Sequence, residues 1–483
     1  MNPYHILIII VAYFTILFII SHFTSRKANS DTFFIGNRKS PWYLVSFAMI
    51  GTSISGVTFI SVPGWVLGSK FYYMQLVLGY LLGYATIIHV LLPIYYKLNL
   101  TTIYTYLATR FGKISYKTGA SFFLLSRLVG SSLRLFLVTF VLQETIFKHL
   151  NVPFFVTIIG SLILIYAYTF RGGVKTIVWT DSFQTLLFLL AVIFSIVFVG
   201  KSLNLDFKGL VGAIYNSEYS TVFNFTHWRE GSFFLKQFLS GAFIAIVMTG
   251  LDQDMMQKNL SCRTLRDSQK NMYWYSALLV PVNLLFLSLG ALLVLYSQQN
   301  GIPIPDNSDK LYPLLATGGY FPVIIGIVFI LGLIAAAYSS ADSALTALTT
   351  SFTIDILGAG RFEEKKLKRV RWIVHILMSL LTGLFIYIFN IYNSDAVIDT
   401  VFTAAIYTYG PLLGLFAFGI FSKRKVKDPA VPFIAILSPL FTYLVKLGLG
   451  AMIENYKSSY ELLVVNGIIT ILGLLIFSRK AKQ

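Results

Sequence analysis

Charge is scarce in this chain and cysteine almost absent. Only 12% of its 483 residues are Asp, Glu, Lys or Arg, far below the share an ordinary soluble domain spends on its surface. The single cysteine, Cys262, excludes an intrachain disulfide. No P-loop, HExxH, CxxC or GxSxG motif occurs, and the six histidines are scattered. Nucleotide-driven transport and enzymatic catalysis therefore lack their residues. His89 and His375 read as packing or interface histidines. The alternating pattern of a membrane β-barrel is also missing.

What the chain has in quantity is apolar sequence: 56% of its residues, with a mean hydropathy of +0.73. Runs of about 20 apolar residues, the length a helix needs to cross a bilayer, recur from end to end. Thirteen candidate spans follow, at 4–23, 42–69, 71–96, 119–147, 152–170, 175–200, 234–251, 273–298, 320–357, 370–390, 396–421, 430–452 and 460–478. With barrels excluded, helices are the way left to satisfy backbone groups in lipid. The chain reads as an all-α polytopic membrane protein, one transmembrane domain over 1–483 with no soluble domain interrupting it. The first span has no cations before it and no cleavage site after it, so it reads as a membrane helix and not as a signal peptide.

The net charge of +18 is a topology signal. Alternating the loops from an outer N-terminus places 27 of the 38 basic residues inside, among them Lys27, Lys258, the cluster from Arg361 to Arg371, and Lys482. Six fall on outer loops. This asymmetry follows the positive-inside rule, with the N-terminus outside and the C-terminus cytoplasmic. It removes the case for a nucleic-acid partner and leaves the bilayer as the surface the chain meets.

Some spans carry residues that lipid penalises. The second contains Gly51, Ser53, Ser55, Gly56 and then Pro63-Gly64. Such a run marks either a broken helix whose freed carbonyls line a binding cavity or close packing through small residues. Asp181 lies about two turns into the sixth span; a carboxylate there suits Na⁺ or a proton, or is a buried structural group. In the ninth span Ser339, Ser343, Thr346 and Thr350 recur at helical spacing and form one polar stripe, flanked by Ser340 and Asp342. Alkali cations take several oxygens at once, so Ser339-Ser340 beside small alanines is a candidate cation site. Asp342 serves as a ligand, a proton carrier or the partner of an arginine. Arg127 and Arg134, seven apart in the fourth span, share nearly one face and either hold a carboxylate of the solute or pair with Asp342 or Asp181.

These segments together resemble the sodium:solute symporter family. The resemblance rests on Phe59-Ile60 with Gly64, on Gly172-Gly173 followed by Trp179-Thr180-Asp181 and Gln184, on Asp252-Gln253 with Gln257 and Leu260, and on 336–343 with Asp355. They stand in family order across essentially the whole chain. The resemblance implies the LeuT-type fold: two inverted five-helix repeats at 42–200 and 234–421, one helix at 4–23 before them and two at 430–478 after them. It implies a Na⁺-coupled symporter that imports a small polar solute by alternating access, as a monomer, in the plasma membrane (bacterial inner membrane). The implied sodium ligands are the carbonyls of Gly51, Ile54 and Ala336 and the hydroxyls of Ser339 and Ser340. A second sodium is implied near Asp181, Asp342 and Ser343. The implied solute site comprises Ser55, Gly56, Thr58, Gln75 and Arg134. Galactose-transporting members carry Glu-Gln where Val57-Thr58 stand here, and Asn and Tyr where Ala245 and Met248 stand, which disfavours a neutral hexose. Arg134 with Ser55 and Thr58 looks more like the sialic acid transporters, where an arginine holds the carboxylate, so the expected solute is an organic anion or carboxylated sugar. Proton coupling, or a solute sensor or leak channel on the same scaffold, are the alternatives.

Overall fold

The computed structural model describes residues 3–26, 28–392 and 397–480. Lys27, Lys482 and the first residue of the span expected at 396–421 lie outside the described residues. Helix dominates; the strands among the described residues are a two-residue antiparallel ribbon, Lys425–Val426 against Ser478–Arg479.

The apolar runs fold into the helices that lipid demands. In chain order the longer ones are α1 (Pro3–Ser25), α2 (Trp42–Ser53), α3 (Gly56–Ser69), α4 (Tyr73–Lys97), α5 (Lys113–Phe147), α6 (Phe154–Thr169) and α7 (Val174–Ser202). There follow α8 (Phe234–Gly250), α9 (Gln253–Leu260), α10 (Leu265–Gln299), α11 (Val323–Ile356), α12 (Glu364–Tyr392), α13 (Val397–Phe421), α14 (Val431–Met452) and α15 (Leu462–Ile476). Among the described residues nine helices are long and apolar enough to cross a membrane. The number is eleven if the bent pairs α2–α3 and α8–α9 each count as one span, and α6 and α15 are shorter apolar helices.

The two largest departures from the expected span boundaries adjoin each other. The seventh span, expected to end at 251, turns by 63° and continues as α9 to Leu260, and the eighth begins at Leu265, eight residues before the expected 273. The intervening residues lie between the two expected spans, yet Asp252, Gln253, Asp254, Gln257 and Lys258 are all buried. Their charges are met by side chains from other helices, which is what permits their burial. Lys258, expected on an inner loop, is only 1% exposed.

Packing follows from small residues and from lipid. Helices α4 and α8 approach so closely that a Cβ on Gly79 would strike the Phe238 carbonyl and one on Gly241 the Leu76 carbonyl. Of the nine long helices α11 is the most enclosed, with 72% of its apolar window buried, against 28% for α1 and for α14. Leu380, Phe433 and Leu440 are among the large apolar side chains left outside, as a lipid-facing surface requires. The polar stripe of the ninth span therefore sits at the centre of the molecule.

Candidate functional site: a broken span, a buried cation cluster and a cavity

The first break is made by residues that propagate a helix weakly. Helix α2 stops at Ser53, Ile54 (φ −86°, ψ 81°) and Ser55 (φ −76°, ψ 173°) are non-helical, and α3 leaves at 59° to α2. The last-turn carbonyls of α2 are left without the amide a continuing helix would supply. One is taken up: Ser340 Oγ donates to the Thr52 carbonyl at 2.9 Å. Ser339 Oγ is completely buried, makes no close hydrogen bond among the described residues and has the Asp181 carboxyl as its polar neighbour. Gly51 lets α11 come this close, since a methyl built on it would stand 2.9 Å from Ser339 Oγ. Ala336 is fully buried on the same helix. Of the expected sodium ligands, the fold thus brings Gly51, Ser339 and Ser340 together at the break, with Ile54 at its turn. Hydroxyl and carbonyl oxygens around this buried oxygen fit a hard cation.

The residues expected at a second sodium are nearby but already engaged. Asp181 on α7 is fully buried; Lys258 Nζ stands 2.5 Å from its Oδ2, and Thr52 Oγ1 donates to the same oxygen at 3.1 Å. Lys258 also donates to Thr52 Oγ1, which ties the first break to α9. Ser343 donates to Asp254 Oδ1. Asp342 Oδ2 accepts from the Tyr168 hydroxyl at 2.7 Å, while its Oδ1 has no hydrogen-bond partner among the described residues. The polar stripe faces α9 over much of its length, since Thr350 accepts from Gln257 at 2.9 Å. Neither arginine pairs with Asp181 or Asp342, contrary to one of the two readings open from sequence.

Both arginines instead line one cavity beside the break, with Ser55 and Thr58 from the first broken span and Tyr73, Tyr80, Tyr84, Tyr275 and Asn283 around them. Arg127 is bound to the protein: it pairs with Asp254 and stands 3.6 Å from Asp252 Oδ2, which also accepts from Tyr409. No ion pair among those of the described residues includes Arg134. Two expected solute residues do not reach the cavity. Gln75 is fully buried elsewhere, its amide accepting from Asn224 N at 3.1 Å and donating to the Ser232 carbonyl at 2.9 Å, so it braces the long outer loop. Gly56 packs against α11, where a methyl would meet Ala337 Cβ at 3.2 Å.

The family profile of the sodium:solute symporters matches residues 33–432. The chain belongs to the sodium:solute symporter family. The symporter is 26% identical to the sodium/sialic acid symporter NanT of Aliivibrio fischeri over 438 residues, covering 85% of this chain and 81% of that one. It is 24% identical to the sodium/sialic acid symporter SiaT of Proteus mirabilis, over 85% of this chain and 83% of the relative. Among solved structures, a substrate-bound, outward-open Na⁺-coupled sialic acid symporter superposes with a TM-score of 0.84 at 20% identity, covering 100% of this chain and 99% of that one. A nucleobase-cation-symport-1 family transporter matches at 0.57 and 13% identity, over 93% of each chain. The fold is that of these cation-coupled transporters, and Na⁺ is the co-transported ion of the family.

Sequence reasoning missed most of the aromatic wall. Tyr73, Tyr80 and Tyr84 stand at i, i+7 and i+11 on α4, a one-face spacing that was there to be found. The hydroxyls of Tyr84 and Tyr275 meet at 3.0 Å, and Tyr275 meets Ser53 Oγ at 2.6 Å, which fixes the wall against the break. Lys258 carried no such signal, because a lysine between Gln257 and Asn259 in a polar stretch reads as loop.

Proposed function

We propose that this symporter carries a carboxylated, hydroxyl-rich solute of the sialic acid class inward, driven by Na⁺. The observation that carries this reading is the split fate of the two cavity arginines. Arg127 is claimed by Asp252 and Asp254, whereas Arg134 has no ion-pair partner among the described residues and keeps its guanidinium for a solute. Ser55 and Thr58 offer hydroxyls to the solute, and the tyrosines offer faces and hydroxyls, a lining that suits a polyol with apolar ring faces. The sodium held by Gly51, Ile54, Ala336, Ser339 and Ser340 adjoins this cavity through the broken span. Binding of either partner then favours the same arrangement of α2, α3 and α11, which is the coupling alternating access needs.

The same reading takes the topology and repeats from the sequence: thirteen spans, N-terminus outside and C-terminus cytoplasmic, repeats at 42–200 and 234–421 each opening with a bent span, and a monomer in the bacterial inner membrane. The bends of 59° and 63° at matching places in the two halves support the repeat assignment.

Thermal-shift and calorimetric titrations of the purified symporter with N-acetylneuraminic acid and its methyl ester, in saturating Na⁺, test the solute assignment. The acid is expected to bind far better than the ester, and Arg134→Ala to weaken the acid by about 10- to 100-fold, the ~1.4–3 kcal/mol of a charge-assisted pair. Equal binding of acid and ester, or an unchanged affinity in Arg134→Ala, removes the carboxylate reading.

A further inference from the structure

Sequence and family resemblance placed a second sodium beside Asp181, Asp342 and Ser343, but each of these residues has acquired a partner from the chain. Asp181 holds Lys258 Nζ at 2.5 Å, and Ser343 is spent on Asp254. Both members of the Asp181–Lys258 pair are at most 1% exposed, so no water screens them. The ammonium bridges Asp181 and the Thr52 hydroxyl, two oxygens of the kind a sodium at that place would take. It arrives from α9, the far half of the second broken span, and reaches the first broken span and α7 together.

We propose that Lys258 is a tethered cation that fills the second sodium position, so that the symporter binds a single Na⁺, the one at the Gly51–Ser339–Ser340 break. The inference rests on the sodium-coupled reading above and goes beyond it by fixing the ion count. Lys258 already supplies, beside Asp181, the positive charge that a second Na⁺ would bring. Asp342, whose Oδ1 has no hydrogen-bond partner among the described residues, is left to act on the sodium through its charge.

Equilibrium binding of ²²Na⁺ to the purified, full-length symporter, with no solute present, tests the count. The wild type is expected to bind one Na⁺ per chain with a Hill coefficient near unity. Lys258→Gln removes the ammonium and opens Asp181 to the ion, so it is expected to bind two. The double variant Lys258→Gln with Asp181→Asn removes pair and site together and is expected to return to one. Two Na⁺ bound by the wild type, no gain in Lys258→Gln, or loss of all binding in the double variant overturns the proposal. If Lys258→Gln does not fold, the wild-type count decides alone. No saturable ²²Na⁺ binding to the wild type sinks the sodium assignment itself, an outcome distinct from a count of two. Because the probe is Na⁺ alone, the result stands whichever solute is carried.

Discussion

The two broken spans look alike in outline and differ in how their freed backbone groups are satisfied. At the second break, between α8 and α9, the freed carbonyls are met by the protein's own side chains. The Gly250 carbonyl accepts from Tyr95 at 2.9 Å and the Leu251 carbonyl from Tyr104 at 2.8 Å. Asp252 caps α9 by accepting from Asp254 N at 2.8 Å, and Gln253 clamps the chain at Thr101 and Ile103. The two carboxylates this brings in share one cation, Arg127. At the first break, between α2 and α3, Ser55 opens α3 with no side-chain cap, and Ser339 Oγ makes no close hydrogen bond among the described residues. A buried polar group without a partner costs about 1–3 kcal/mol, which a bound cation would offset. The first break is the one we propose as the ligand site, and the second the one held mainly by the protein's own side chains.

The largest test of that contrast strikes the charged side of it. Arg127→Met leaves Asp252 and Asp254 buried without their cation, a loss of about 3–5 kcal/mol for a broken buried pair. The expected outcome is a marked fall in thermal stability of the purified protein, partly rescued by adding Asp254→Asn. A variant as stable as the wild type would mean that charge does not hold the second break, and that the comparison fails there.

A smaller effect is expected at the first break, and on a different readout. Ser340→Ala removes the donor to the Thr52 carbonyl and one proposed sodium oxygen. The Na⁺ concentration for half-maximal binding is expected to rise about tenfold, or ~1.4 kcal/mol, while stability measured without Na⁺ changes by about 1 kcal/mol or less. A large fall in stability with unchanged Na⁺ affinity would put the first break in the same class as the second.

That same contrast decided what could be read from sequence. The first break announces itself, because Gly51, Ser53, Ser55 and Gly56 are poor helix formers in a greasy run, and the helical spacing of Ser339, Ser343, Thr346 and Thr350 marks the face opposite. Arg127 and Arg134 were visible as costly residues, but seven-residue spacing makes them equivalent; the carboxylates that separate them come from another helix. The second break hides for the opposite reason. Its polar residues are numerous enough to resemble a solvated loop, and only their pairing across the bundle shows them buried. Gln75 entered the solute site through the family resemblance, yet here it spends both ends of its amide on backbone. Asp181 was found at once, while its partner Lys258 was assigned to the cytoplasm by a charge rule that counts cations without seeing what they touch. Cys262 behaves as expected of a lone buried cysteine: burial pushes its thiol up, away from the reactive thiolate.

The smallest expected effect is the finest discriminator. Tyr95→Phe deletes a single hydroxyl that donates to the Gly250 carbonyl at the second break. Tyr95 is fully buried and its ring remains in Tyr95→Phe, so packing is kept and one carbonyl loses its donor. The cost is about 1 kcal/mol of stability, read as a shift of about one degree in thermal unfolding. Because that carbonyl is bonded within the protein and lies outside the proposed sodium ligands, Na⁺ affinity is expected to stay where it is in the wild type. Weaker Na⁺ binding in Tyr95→Phe would show that the second break also feels the ion, and the division into self-held break and ligand site would then give way to a single coupled element.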